Sequence, residues 1–125
     1  MSETPKNKAE LNEGQWCALS VLGYMWLRLG NFPRAERVFR ALAAVRPDDL
    51  KTSASLAAAL LSQERPGDAL EVVERLLAGR APAAGEGYLW LLKAKALWRL
   101  DRRDEAASAV RNYLALTPPA GEAQP

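Results

Sequence analysis

The chain has 125 residues, of which 49% are hydrophobic and 26% charged, which suits one soluble domain with a modest core. It has no histidine, which excludes imidazole metal sites, Ser/His/Asp triads and histidine acid–base catalysis; we therefore expect no enzyme, cofactor or metal site. A net charge of +2, from 17 basic and 15 acidic side chains, does not favour nucleic acid as a partner.

Residues 1–13 are polar and contain no apolar run typical of a secretory signal or a membrane span. We interpret them as a loose N-terminal arm of a cytoplasmic protein that does not insert into membranes. The single cysteine, Cys17, follows Trp16 in an apolar helical stretch. Free cysteines in such stretches are usually buried, so the sequence predicts a structural thiol.

The first pair of predicted helices has small residues where two helices must approach closely. With Trp16 counted as position 1, Gly23 falls at position 8 and Ala35 at position 20. Large aromatic residues, Trp26 and Phe39, are predicted to fill the space around that contact. This arrangement is typical of a tetratricopeptide (TPR) helix pair.

The central alanine of the pattern returns at Ala69 and Ala106, after steps of 34 and 37 residues. These steps are the TPR period and that period with a three-residue insertion, which the Gly- and Pro-containing run at 78–87 accommodates. We predict an all-α fold of three tandem TPR helix pairs in a short right-handed solenoid. The domain would span 14–117, with repeats at about 16–49, 50–86 and 87–117, and a disordered tail would follow at 118–125.

The second and third predicted repeats differ from the first. The string LAAALL at 56–61 has no polar face, which predicts a helix covered by neighbours on both sides, in the middle of the stack. The last helix is followed directly by the polar tail rather than by a capping helix. Its apolar residues are therefore candidates for an uncovered edge: Ala106, Ala107, Val110, Tyr113 and Leu114.

The first helix of each TPR pair lines a concave face. In this sequence, the residues at the positions that point into that face are mostly apolar, with basic residues at the edge, and would form an apolar channel with a basic rim. An apolar segment of a partner, helical or extended, fits this lining better than a segment that ends in an acidic C-terminal carboxylate. The alternative is that the aromatic residues pack within the stack. The candidate partner-binding residues are Tyr24, Leu27, Arg28, Ala58, Leu61, Tyr88, Leu91, Lys95, Trp98 and Arg99.

Three stretches resemble a known family: LGYMWLRLG at 22–30, RAER at 34–37 and RNYLAL at 111–116. With the short length and the polar ending, they are similar to the small TPR chaperones of bacterial type III secretion, above all to the YscY (SctY) family, over about residues 11–117. The resemblance implies a non-catalytic cytoplasmic chaperone of bacterial virulence. Its partner would be a small export substrate of the YscX (SctX) type, presented to the export gate protein SctV.

Other functions stay open at this point. Needle-subunit chaperones of the YscG type and translocator chaperones of the LcrH/SycD type belong to the same class and would use a similar apolar surface. A general TPR scaffold that forms a homodimer through its uncapped ends belongs to a different class. An RNA-binding helical repeat is a third alternative, but the mixed charge and the lack of a basic stripe weigh against it.

Overall fold

A computed structural model describes residues 11–79 and 81–116, which form six α-helices and one 3-10 helix and contain no β-strand. The predicted all-α class is confirmed. None of the helices in these two ranges is long and apolar enough to cross a bilayer. The predicted tail, and the predicted arm up to residue 10, lie outside the described residues. The helices are α1 (Glu13–Arg28), α2 (Phe32–Val45), α3 (Leu50–Ser62), α4 (Pro66–Gly79), the 3-10 helix (Ala84–Glu86), α5 (Tyr88–Arg99) and α6 (Arg103–Leu116).

Helix α1 begins three residues before the first position of the predicted repeat, because a capping box fixes its start. The Asn12 side chain accepts a hydrogen bond from the Gln15 backbone N–H at 2.8 Å, and the Gln15 side chain accepts one from the Asn12 N–H at 3.0 Å. Two amide groups that the helix itself leaves unpaired are satisfied in this way. The end of the predicted arm is thus part of α1 and its cap.

The chain divides into two compact units between Gln63 and Glu64. In the N-terminal unit, α2 packs against both α1 and α3. The core of this unit includes Phe39, Leu42 and Leu60, whose side chains are fully buried. Large buried side chains of this kind provide most of the hydrophobic stabilisation of a small domain.

The contact between α1 and α2 depends on the absence of a side chain at Gly23. A Cβ atom built there would lie 2.7 Å from Cζ of Phe39, closer than two carbon atoms can pack. The ring of Phe39 thus rests directly on the backbone of α1. This confirms the predicted close approach of the two helices at Gly23.

In the C-terminal unit, α5 packs against both α4 and α6. Its fully buried side chains include Val73, Leu89 and Leu97, and the two repeat alanines Ala69 and Ala106 are buried as well. Small residues at these two positions allow close contact between helices. The C-terminal unit therefore has an apolar core of its own.

Three backbone positions with positive φ follow the ends of α1, α3 and α5. Gly30 has φ +82°, Glu64 φ +60° and Asp101 φ +63°, and they are spaced by 34 and 37 residues, as are the repeat alanines. At the end of α1, the Asn31 N–H donates to the Trp26 carbonyl at 2.9 Å; at the end of α5, the Arg102 N–H donates to the Leu97 carbonyl at 2.9 Å. Both bonds belong to the Schellman motif that closes a helix with a left-handed residue.

Two expectations about burial have opposite outcomes. In α3, five residues of the LAAALL string are buried and Ala58 is half-buried, which confirms the burial expected of a string without a polar face. Cys17 is exposed, so the predicted buried thiol is wrong. Trp16 occupies the inner face of α1, and the next residue is rotated by about 100° around the helix, which turns Cys17 to solvent.

Candidate functional site

An open groove of ≈ 520 Å³ lies between α5 and α6 in the C-terminal unit. Side chains three and four residues apart share one face of a helix, and this spacing brings one row from each helix to the groove. The lining, which we call the α5/α6 groove, consists of Leu91, Ala94, Lys95, Trp98 and Arg99 from α5, with Arg103, Ala106, Ala107 and Val110 from α6.

The two ends of the α5/α6 groove differ in chemistry. Three residues, 100–102, join α5 to α6, and such a short connection makes the two helices antiparallel neighbours. Trp98, Arg99 and Arg103 therefore lie at the turn end, and Leu91 and Val110 lie at the far end. The groove runs from a basic, aromatic end to an aliphatic end over seven residues of α5, or about 10 Å.

The groove is open because its floor is built from small side chains. Ala94 and Ala106 are buried between the helices, and Val110 is too short to cover them; its side chain remains 38% exposed. At the turn end, Trp98 is 56% exposed. Apolar side chains this exposed, gathered in one groove, are a usual mark of a binding surface.

Trp98 is held at its place by a neighbouring cation. The guanidinium carbon of Arg103 lies 4.3 Å from the centroid of the indole ring, within the range of a cation–π interaction. Arg103 comes from α6 and Trp98 from α5, so the contact bridges the turn end of the groove. One face of the indole is covered in this way, although more than half of the residue remains accessible.

All three charged residues that line the groove are basic. Arg99 pairs with Glu64 at 3.3 Å and Arg103 with Asp101 at 3.1 Å, and both pairs are exposed to solvent. Exposed pairs of this type contribute little and exchange readily with other partners. Lys95 is exposed and has no ion pair among the described residues. The groove therefore presents net positive charge to a partner.

A separate ion pair fixes the start of α6 on the other side of the helix. Arg102 donates two hydrogen bonds to the Glu105 carboxylate, at 2.9 and 2.7 Å. This bonding lowers the pKa of Glu105 and raises the pKa of Arg102. Glu105 also borders a smaller cleft of ≈ 190 Å³ together with Trp90 and Lys93. Its mixed polar lining makes that cleft a weaker candidate for an apolar partner.

Of the five partner-binding residues predicted on α5, four line the α5/α6 groove and one does not. Leu91, Lys95, Trp98 and Arg99 are brought together, whereas Tyr88 is half-buried and lies outside the lining. The apolar edge residues Ala106, Ala107 and Val110 form the opposite wall. The prediction missed Ala94 and Arg103, although their spacing from Trp98 and Val110 places them on the same helix faces.

The five residues predicted in the N-terminal unit do not all present exposed side chains. Tyr24 is 40% exposed, and its ring packs against Phe39 with centroids 5.2 Å apart. Leu27 and Ala58 are half-buried, and Arg28 is exposed. Leu61 is only 6% exposed, because it belongs to the LAAALL string, which has no polar face and is buried at five of its six residues. Its side chain is therefore not available to a partner on the surface of the free chain.

Comparison with protein-family models finds no match, and no curated protein matches the chain. Within residues 11–79 and 81–116, no cluster of three or more Cys, Asp or Glu side chains is placed to hold a metal ion. Function must therefore be inferred from the α5/α6 groove and from the repeated geometry of the helices.

Proposed function

We propose that the six helices are three tandem TPR pairs. Support comes from the left-handed turn residues Gly30, Glu64 and Asp101, which repeat at the same spacing as the alanines of the sequence pattern. The close contact of Gly23 with Phe39 is a second support, since a TPR pair needs a small residue at that position. Stacked helix pairs commonly bind other proteins.

We further propose that the chain is a non-enzymatic chaperone of bacterial type III secretion, as its resemblance to the YscY (SctY) family suggests. It would bind a small export substrate of the SctX type in the cytoplasm and help deliver it to SctV. Chaperones of needle subunits or translocators are alternatives within this class. The observation that carries the proposal is the α5/α6 groove with its exposed Trp98.

The chemistry of the groove supports binding rather than catalysis. Its lining offers no carboxylate, thiol or hydroxyl group, and the amine of Lys95 is its one group of a type that serves as nucleophile or base. Burying an exposed Trp or Leu side chain against a partner is worth about 2 kcal/mol before ordering costs. A client segment placed in this groove would be protected from aggregation while it covers the apolar surface of the chaperone.

Affinity purification from the native host, followed by mass spectrometry, tests this function. Three forms are compared: the natural chain, Trp98→Glu in the groove and Val21→Glu on the exposed side of α1. We expect a small export substrate with the natural chain and with Val21→Glu, and at least a tenfold smaller yield with Trp98→Glu. Far-ultraviolet circular dichroism verifies that all three forms are equally helical. Equal recovery of the same substrate with Trp98→Glu contradicts the proposal.

A second candidate function, a self-associating scaffold, is favoured by one observation. Val21 and Met25 of α1, with Leu29 at its C-cap, form an exposed apolar stripe. Such a stripe is a common dimerisation surface. If the purified chain is a stable dimer without any client, and Val21→Glu makes it monomeric, the scaffold is the better assignment.

A further inference from the structure

The size of the α5/α6 groove limits what it can hold. An enclosed apolar cavity of about 150 Å³ can hold one benzene ring. At ≈ 520 Å³, this groove has room for about three large apolar side chains. A single anchoring residue would leave most of the groove empty.

The length of the groove sets the spacing of those side chains. Leu91 and Trp98 are seven residues apart on α5, and Arg103 and Val110 are seven apart on α6. This distance is about two turns of a helix. A partner helix with apolar residues at i, i+4 and i+7 projects its side chains over the same distance.

The charges around the groove select the polar residues of the partner. Lys95, Arg99 and Arg103 are basic, and the groove lining contains no acidic residue. Carboxylates on a partner would therefore be attracted, and lysines or arginines would be repelled. The cations lie at the middle and at the turn end of the groove. The acidic residues of the partner should therefore lie beside the apolar side chain that contacts Trp98.

A second copy of this chain does not meet these requirements through its exposed α1 stripe. The stripe of Val21, Met25 and Leu29 is flanked by Arg28, and the only acidic residue in α1 is Glu13, at its first turn. A basic side chain beside the anchor would face the basic rim of the groove. Charge complementarity thus favours a different protein as the occupant.

We propose that the α5/α6 groove binds an amphipathic helix of a partner protein, with apolar residues at i, i+4 and i+7 and acidic residues beside them that contact Lys95, Arg99 and Arg103. This inference rests on the proposed function, because it specifies the segment by which a client is held. It assigns Trp98 and Val110 as apolar contacts. The three cations of the rim act as the determinants of specificity.

Three designed peptides of 16 residues without tryptophan serve as probes. The first has leucines at i, i+4 and i+7 with glutamates beside them, the second has lysine for every glutamate, and the third has serine for every leucine. Binding to the full chain is measured by anisotropy of a fluorescein label. The exposed Trp98 provides a second readout, because burial of its indole shifts its emission to the blue.

We expect the glutamate peptide to bind about tenfold more tightly than the lysine peptide at 50 mM salt. This difference should shrink at 500 mM salt, because screening weakens exposed charge pairs. The serine peptide should not bind measurably. Equal affinity of the glutamate and lysine peptides overturns the proposed specificity, and binding of the serine peptide overturns the role of the apolar anchors.

Two exposed valines offer a matched pair of variants. Val110→Glu places a carboxylate in the groove and should reduce binding of the glutamate peptide at least tenfold, whereas Val21→Glu on α1 should leave it unchanged. The double variant Lys95→Glu with Arg99→Glu should reverse the preference towards the lysine peptide. If Val21→Glu weakens binding as much as Val110→Glu, or if the preference does not reverse, the assignment to this groove is wrong.

The result is separable from the test of the proposed function. If the peptides behave as expected but no export substrate purifies from the host, the secretion function fails and the groove specificity stands. If the substrate purifies equally well with Val110→Glu, the groove is not where the client binds. Sedimentation of the chain alone adds one outcome: a dimer that Val110→Glu dissociates would show that a second copy fills the groove, which overturns the inference.

Discussion

The first and last helix hairpins, α1–α2 and α5–α6, have different side chains at two matching positions of the proposed TPR repeat. At position 24 the first hairpin has Phe39 and the last has Val110; at position 8 they have Gly23 and Ala94. Phe39 reaches the backbone at Gly23 and is fully buried. Val110 cannot reach as far and leaves the groove of ≈ 520 Å³. The first hairpin is also covered by α3, which packs against α2. These two residues and the covering helix together distinguish the closed hairpin from the open one.

A third position adds charge to this difference. Position 9 is Tyr24 in the first hairpin and Lys95 in the last. Tyr24 packs its ring against Phe39 and helps to close the hairpin. Lys95 lies on the rim of the groove, where its ammonium group stays in water. One hairpin is closed by packed aromatic rings, and the other presents an apolar surface with basic edges.

The largest expected effect comes from shortening position 24 in each hairpin. Phe39→Ala should lower the free energy of unfolding by about 3–5 kcal/mol, because it removes a fully buried ring from the core. Val110→Ala should lower it by less than about 1 kcal/mol, because Val110 is already partly exposed. Urea denaturation followed by circular dichroism measures both. Similar losses for the two variants would mean that Val110 is as deeply packed as Phe39.

Enlarging position 8 is the next test. Gly23→Leu should cost about 1–3 kcal/mol or more, since even a Cβ atom at this position would lie 2.7 Å from the Phe39 ring. Ala94→Leu, at the same position of the last hairpin, should cost less because the new side chain can extend into the groove. The same urea experiment compares them. Full stability of Gly23→Leu would show that α1 and α2 are not in contact at this point.

Substitutions at the turns of the two hairpins should change the free energy of unfolding by less, and in opposite directions. Gly30→Ala should lose about 1 kcal/mol, since a side chain is strained at φ +82° although nothing lies within 4 Å. Asp101→Gly should gain up to about 1 kcal/mol because it relieves the same strain at φ +63°.

Gly67→Ala is the control for the turns, because Gly67 has no neighbour within 4 Å and its φ is not positive. It should be neutral or slightly stabilising, as alanine favours a helix more than glycine does. Thermal unfolding measures all three variants. If Gly67→Ala lowers the stability as much as Gly30→Ala, strain at positive φ does not explain the effect at Gly30.

Features that depend on local patterns could be predicted from the sequence. The apolar string in α3 indicated burial, and the small residue at Gly23 indicated a close helix contact; both are confirmed. Features that depend on a second helix could not be predicted in the same way. Whether Trp98 is buried depends on what α6 places opposite it. Arg103 lies there, with its guanidinium carbon 4.3 Å from the centroid of the indole ring, and Trp98 remains 56% exposed.

Two further residues show the same limit. Cys17 was predicted to be buried because its neighbours are apolar, but the rotation of α1 gives the inner face to Trp16. Arg103 is the first residue of α6, next to a charged turn, and was not predicted in the site. Its contact with the Trp98 ring is made across two helices, and no spacing along the chain indicates such a contact.

The smallest expected change in stability comes from giving the last hairpin the residues that the first hairpin has at positions 8 and 24. The double variant Ala94→Gly with Val110→Phe should place a ring over the groove floor, as Phe39 lies on Gly23. A glycine in a helix costs about 1 kcal/mol and the larger buried side chain returns about as much, so the free energy of unfolding should change by less than about 1 kcal/mol.

Peptide binding should nevertheless fall at least tenfold in the double variant, because the ring fills the space that the partner needs. Ala94→Gly alone is the control, since it keeps the groove and all three cations and should bind the glutamate peptide normally. Unchanged binding by the double variant would mean that affinity comes from the cations and not from the groove. Loss of binding at constant stability would instead show that position 24 separates a hairpin that only stabilises the fold from one that recognises a partner.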